Sequence, residues 1–242
     1  MGRPQPIHNQ AQVDAVLSFV QDFKPDVLYL GGDMVDCGPI SHWNARKKLS
    51  MEGLRLADDF ADCKANLIDP LEKMLPRKTK KYYQIGNHEL WIDDFVEEHS
   101  GLAGMVSVDS ELELRKHDWE IIAQGEHLQL GKMLLMHGDT VGKGGEHVAK
   151  KAVIDYELSV RFGHFHTFQT YTKTSRADAS EVKTGIAVPC LSTRRPGYGK
   201  GQPNKWIQGF LWGYVNSDGT FNDYVSIIVR DRFIANGTTY KG

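Results

Sequence analysis

Two hydrophobic periods alternate along the chain. Between residues 11 and 23, Val13, Val16, Leu17 and Val20 recur at helical spacing, and Pro25-Asp26 ends the stretch. Val27-Leu28-Tyr29-Leu30 is a short continuous apolar run that stops at Gly31-Gly32-Asp33, the pattern of a buried strand. Residues 50–75 are predicted as a long helical stretch, kinked or split at Pro70. Three further strands follow: residues 81–85 stop at Gly86-Asn87-His88, residues 132–136 at His137-Gly138-Asp139, and residues 159–162 at Gly163-His164-Phe165-His166. After Gly185 the texture becomes β-like, at residues 185–191, 206–215 and 224–229. The pattern predicts an α/β fold with an antiparallel portion toward the C-terminus. A length of 242 residues, with no repeat or low-complexity linker, predicts one domain over residues 1–242.

The polar residues are informative because of where they fall. Four apolar strands each end at glycine or directly at histidine, and Asp, Asn or His follows. Ligands of α/β sheets bind beyond the carboxyl ends of strands. The pattern therefore predicts that Asp33, Asn87, His137, His164 and His166 share one rim. One such histidine is ordinarily structural, but five polar residues at four separate strand ends point to a common ligand. Oxygen and imidazole donors without thiolate suit manganese, iron, zinc or nickel. A carboxylate such as Asp33 can bridge two metals, the usual clamp for phosphoryl chemistry.

Composition narrows the rest. The net charge is −2, so bulk charge does not hold this chain to nucleic acid, although local basic patches can. No apolar run approaches the ~18 residues of a membrane span, and the first residues lack a signal-peptide pattern. The three cysteines, Cys37, Cys63 and Cys190, form no disulfide framework or zinc pair. A reduced, intracellular compartment is expected, namely the cytoplasm or a host cytoplasm.

Gly32-Asp33 with Asp36, Gly86-Asn87-His88-Glu89, His137-Gly138 and Gly163-His164-Phe165-His166 resemble the ordered motifs of the calcineurin-like metallophosphoesterases, in particular a phage-type branch. The resemblance runs from about residue 6 to residue 170 and covers four of the five family motifs. It implies a four-layer α/β sandwich with two mixed β-sheets flanked by helices. It also implies roles. Asp33 would bridge two metals, with Asn87, His137 and His164 completing the second site and His166 belonging to the first. His88 would assist the leaving group of a phosphodiester, or of a monoester, attacked by metal-activated hydroxide. Manganese is the expected activator. Asp36 and Glu89 read as supporting or capping residues.

The family's first motif, Asp-x-His, is missing. When Pro6 is laid on the proline that follows this motif in one branch, Gly2 and Pro4 stand at the ligand positions. The expected origin of the gap is a missing natural start. The expected consequence is a weak or empty first metal site, unless His8 or a neighbouring chain substitutes. Loss of a strand there would lower stability or favour a homodimer that covers the edge.

Residues 192–206 combine four cations, including Arg194 and Arg195, with loop glycines and two aromatics. Arg194 and Arg195 are candidates for binding a nucleotide or nucleic-acid substrate; a solvated basic loop explains the segment as well. His42 and Trp43 read either as a flap over the site or as a helix start. Lys143, His147 and Lys150 read as phosphate-facing groups or as the polar side of an amphipathic helix. Cys190 is expected in the core, and His99, His117 and His127 at structural or surface positions. Two alternatives accompany the phosphodiesterase expectation: a nuclease acting on DNA or RNA, and a scaffold that keeps the fold with impaired catalysis.

Overall fold

The stripe at Val13, Leu17 and Val20 folds as helix α1 (Gln10–Phe23) and buries those side chains. The computed structural model describes residues 8–178, 180–193 and 204–242, which form a mixed α/β fold of several helices and sheets. The chain divides into two compact units. Residues 16–124 belong to the first, and residues 8–15 and the described residues from 125 onward to the second, so α1 contributes to both.

The first unit is built on strand β1 (Val27–Leu30), helices α2 (Lys48–Met51), α3 (Leu56–Cys63) and α4 (Asp69–Met74), strand β2 (Lys80–Gln84), helices α5 (Asn87–Glu98) and α6 (Val108–Leu112), and strand β3 (Trp119–Ile122). The strands pair in parallel in the order β1-β2-β3, with Val27 opposite Lys80 and Lys81 opposite Trp119. β1 lies at the edge of this sheet and is half-buried, whereas its apolar sequence predicts a buried strand. Ile68, Leu71, Tyr83, Ile92, Leu112 and Leu114 fill the core.

The helical stretch predicted over residues 50–75 is broken once, at Gly53, and distorted once, before Pro70. Gly53 adopts φ +79°, a conformation open to glycine and costly for other residues, and it separates α2 from α3. Pro70 is the second residue of α4, which runs on from helical residues rather than starting anew. Directly before it, residues 64–68 widen into a π turn in which the Asp69 N–H donates to the Lys64 carbonyl. That wider turn relieves the clash a proline ring makes with the carbonyl four residues earlier.

The second unit carries a five-stranded mixed sheet and two hairpins. Its sheet uses β4 (Leu128–Leu130), β5 (Met133–Met136), β6 (Ser159–Phe162), β7 (Gln169–Thr174) and β8 (Val182–Ala187), in the order β4-β5-β6-β8-β7. The inner strands β5, β6 and β8 run parallel, and the outer strands run antiparallel to their neighbours. Helix α7 (Val148–Tyr156) packs on it through Val148 and Ala152, against Leu134, Met136, Val160 and Phe162. Strand β9 (Gly209–Val215) pairs antiparallel with β10 (Phe221–Ile227), and β11 (Arg232–Ala235) with β12 (Thr238–Lys241). The antiparallel portion expected near the C-terminus is therefore present. The segment expected at 185–191 instead begins at Val182 and ends at Ala187, just before Pro189, which cannot donate to a ladder. Cys190 consequently sits half-buried in an isolated bridge with Gln208 rather than in a core strand. Among the described residues no helix is long and apolar enough to cross a membrane.

Candidate metal centre

In the first unit the site is built at the end of β1 and the start of α5. Asp33 follows β1 in the left-handed region, at φ +57°. Its Oδ1 accepts the backbone N–H of His88 at 3.0 Å, in the first turn of α5, where an anion is favoured. Gly86 makes this approach possible, because a Cβ there would lie 2.3 Å from Asp33 Oδ1 and 2.6 Å from its backbone nitrogen.

Glu89 fixes the loop from beneath. It is 1 % exposed, and its carboxylate accepts the backbone N–H groups of Asp33 at 2.9 Å, Met34 at 2.7 Å and Val35 at 3.2 Å. It also accepts the N–H of Gly86 at 3.1 Å and the Tyr83 hydroxyl at 2.9 Å. Burial pushes the Glu89 carboxyl up and the Asp33 charge adds to that; the Tyr83 hydroxyl and the backbone donors pull the other way. An unpaired carboxylate could not be held here, and the ring of donors is what makes the position tenable.

His88 projects from the same turn. Its Nδ1–H donates to the Asp36 carbonyl at 2.9 Å and lies 3.4 Å from Asp36 Oδ1, and its Nε2 lies 4.0 Å from Asp33 Oδ2. Burial pulls its pKa down, but the Asp36 hydrogen bond and the charges of Asp33 and Asp36 outweigh burial and raise it to about 9. The ring stacks on Trp91, centroid to centroid 4.2 Å. Asn87, the first residue of α5, stands between Gly86 and His88.

In the second unit His137 and His164 meet. His137 directly follows β5 and is 2 % exposed; His164 follows β6 at φ +62°. The Gly163 N–H donates to the His137 carbonyl at 2.8 Å, which ties the two strand ends together. Gly138, at φ +113°, lets the chain turn where a Cβ would lie 2.8 Å from the Phe162 ring. His137 Nε2 and His164 Nδ1 lie 3.2 Å apart. Two nitrogens bound to one ion at ~2.0–2.1 Å stand roughly 2.9–3.4 Å apart, so the pair has the spacing of neighbouring donors. His166, at φ +57°, packs its ring edge-on against Trp206 at 4.3 Å, and its carbonyl accepts the Ile207 N–H at 2.8 Å.

Asp33 in the first unit supplies a carboxylate, and His137 and His164 in the second supply two imidazoles, donor types that suit a metal ion. Asp33, His164 and His166 all have positive φ. Eight other non-glycine residues share this conformation, so it does not by itself mark the site.

The remaining candidates are placed as follows. Arg194 and Arg195 lie outside the described residues. His8 donates from Nε2 to Gln10 Oε1 at 2.7 Å and bridges Ser192. Lys143, His147 and Lys150 are exposed; Lys150 lies on α7 opposite the buried Val148, Ala149, Ala152 and Val153, whereas Lys143 and His147 precede the helix. His99 and His127 are exposed, and half-buried His117 lies 3.8 Å from Glu72. Sequence reasoning missed Trp91, which supports His88, and Asp59, whose half-buried carboxyl takes the Gly38 N–H and leaves Oδ2 without a partner among the described residues. Burial, with the Asp36 charge, raises the pKa of Asp59 to about 7. The apolar neighbour Phe60 gave no hint of this, because the cause is tertiary.

No protein-family model matches the chain, and no curated protein sequence matches it.

Proposed function

We propose that this chain is a metal-dependent phosphoesterase of the calcineurin-like type that hydrolyses phosphodiesters. The observation that carries the reading is the facing pair His137 Nε2 and His164 Nδ1, 3.2 Å apart. Three further features support it. Asp33 is held by Glu89, His88 stands beside it, and the motifs occur in the family's order.

In this reading Asp33, Asn87, His137 and His164 hold one divalent metal, with manganese preferred and iron, zinc or nickel as alternatives. His166 and Asp33 serve a second. The donor set fits, since all are oxygen or imidazole ligands. The metal, when bound, supplies positive charge to the phosphoryl oxygens and an acidified water. The chain's own residues do the rest. Glu89 keeps the Asp33 loop in one conformation. Asp36 orients the His88 ring and keeps it protonated. His88 then gives its proton to the departing oxygen. Phosphoryl transfer asks for little beyond such positioning and charge stabilisation. The parallel sheet of the first unit and the mixed sheet of the second are the elements of a four-layer sandwich in this reading. The free cysteines suit a reducing cytoplasm.

The test is manganese binding by equilibrium dialysis, together with hydrolysis of bis(p-nitrophenyl) phosphate, for the intact chain and its Asp33→Ala and His164→Ala variants. Both variants should lose metal and rate together. Full manganese binding in His164→Ala would overturn the assignment.

A further inference from the structure

We infer that the diester carries a nucleobase and that Trp43 is the surface on which that base stacks; this deepens the phosphoesterase reading and rests on it. Four rings run in sequence from the proton donor to solvent. His88 stacks on Trp91 at 4.2 Å with an interplanar angle of 27°. Trp91 meets His42 edge-on at 5.9 Å, and His42 meets Trp43 at 4.6 Å. Trp43 ends the ladder 71 % exposed.

An indole left this open is costly to hydrate, and the turn beneath it is tied down. The Asn44 side chain donates to the Gly38 carbonyl at 3.1 Å, the Asn44 N–H to Ser41 at 2.9 Å, and the Ala45 N–H to His42 at 3.3 Å. Trp43 is therefore a presented ring on a fixed turn. Exposed cations follow immediately at Arg46, Lys47 and Lys48; the Lys47 ammonium reaches Asn44 Oδ1 at 3.0 Å. An aromatic face flanked by cations matches a base flanked by phosphates. A chain of net charge −2 has no general attraction for polyanions, so this local tract is what would select them. Stacking on one aromatic side chain strengthens binding roughly five- to a hundredfold per base.

The experiment compares methyl p-nitrophenyl phosphate with adenosine 5′-(p-nitrophenyl phosphate), using the full chain loaded with manganese. The leaving group is the same, so the ratio of the two kcat/KM values isolates the nucleoside. The ratio should lie between about five and a hundred in favour of the adenosine ester, expressed mainly in KM. It should fall to near one in Trp43→Ala and persist in Trp43→Phe. An unchanged ratio in Trp43→Ala overturns the inference, as does a shift in oligomeric state without a shift in ratio. If neither ester is hydrolysed, the phosphoesterase reading fails on its own, and calorimetric binding of AMP against ribose 5-phosphate decides the stacking. Tighter AMP binding that is lost in Trp43→Ala supports it; equal binding of the two ligands contradicts it.

Discussion

The Glu89 carboxylate accepts the backbone N–H of Asp33 at 2.9 Å across 56 residues of sequence. A residue in the first turn of α5 thereby sets the backbone of the loop after β1, which carries the carboxylate of the candidate metal centre. Because the neighbours of Glu89 are donors, the two oxygens are not replaceable by an amide. Glu89→Gln turns one acceptor into a donor facing N–H groups. It should cost about 1–3 kcal/mol of stability by urea unfolding and weaken manganese binding without touching a metal ligand.

Gly86→Ala probes the same contact from the other side. A Cβ at 2.3 Å from Asp33 Oδ1 and 2.6 Å from its backbone nitrogen forces the loop to move. Overpacking of this kind costs roughly 1–3 kcal/mol. The variant should unfold at lower temperature and bind manganese more weakly. Wild-type affinity in a folded Gly86→Ala protein would show that the Asp33 position is not set here.

Asp59 gives a pH dependence of stability. Its folded pKa of about 7 lies above the ordinary carboxyl value. The neutral form is thus favoured in the native state. Its contribution is fully present below about pH 4 and is lost as pH rises through about 7. Asp59→Asn should therefore be more stable than wild type at pH 8, by on the order of 1–2 kcal/mol once partial exposure is discounted. The two proteins should converge below pH 4. Parallel stability curves across that range would rule out the proposed burial effect.

Much of this architecture is written locally. β1 and β5 are apolar runs, β2 and β6 mix polar with apolar residues, and all four are followed closely by glycine or histidine, so punctuation more than periodicity locates them. β7 is not legible in this way. It is a polar, mostly exposed strand, Gln169-Thr170-Tyr171-Thr172-Lys173-Thr174, held by pairing with β8 rather than by an apolar face. The break at Gly53 is hidden because isolated glycines also occur inside helices. In the site, the candidate ligands Asp33, His137 and His164 stand out by their place after strands. Glu89 is signalled only by its position three residues after the residue that precedes α5, a capping pattern. Its bonds to Asp33, Met34 and Val35 depend on tertiary packing. So does the ring ladder at Trp91, whose members come from two distant segments.

His88 is the residue on which the catalytic reading turns. It is held by Asp36 and supported by Trp91, and it is not one of the proposed metal ligands. The most direct measurement is the manganese-dependent hydrolysis rate of a chromogenic phosphodiester by the chain and by His88→Ala, with manganese binding followed in parallel. A fall in rate of about 10²–10⁴ with binding retained is the predicted result. An unchanged rate in His88→Ala, or no manganese-dependent rate in the wild-type chain, would contradict it.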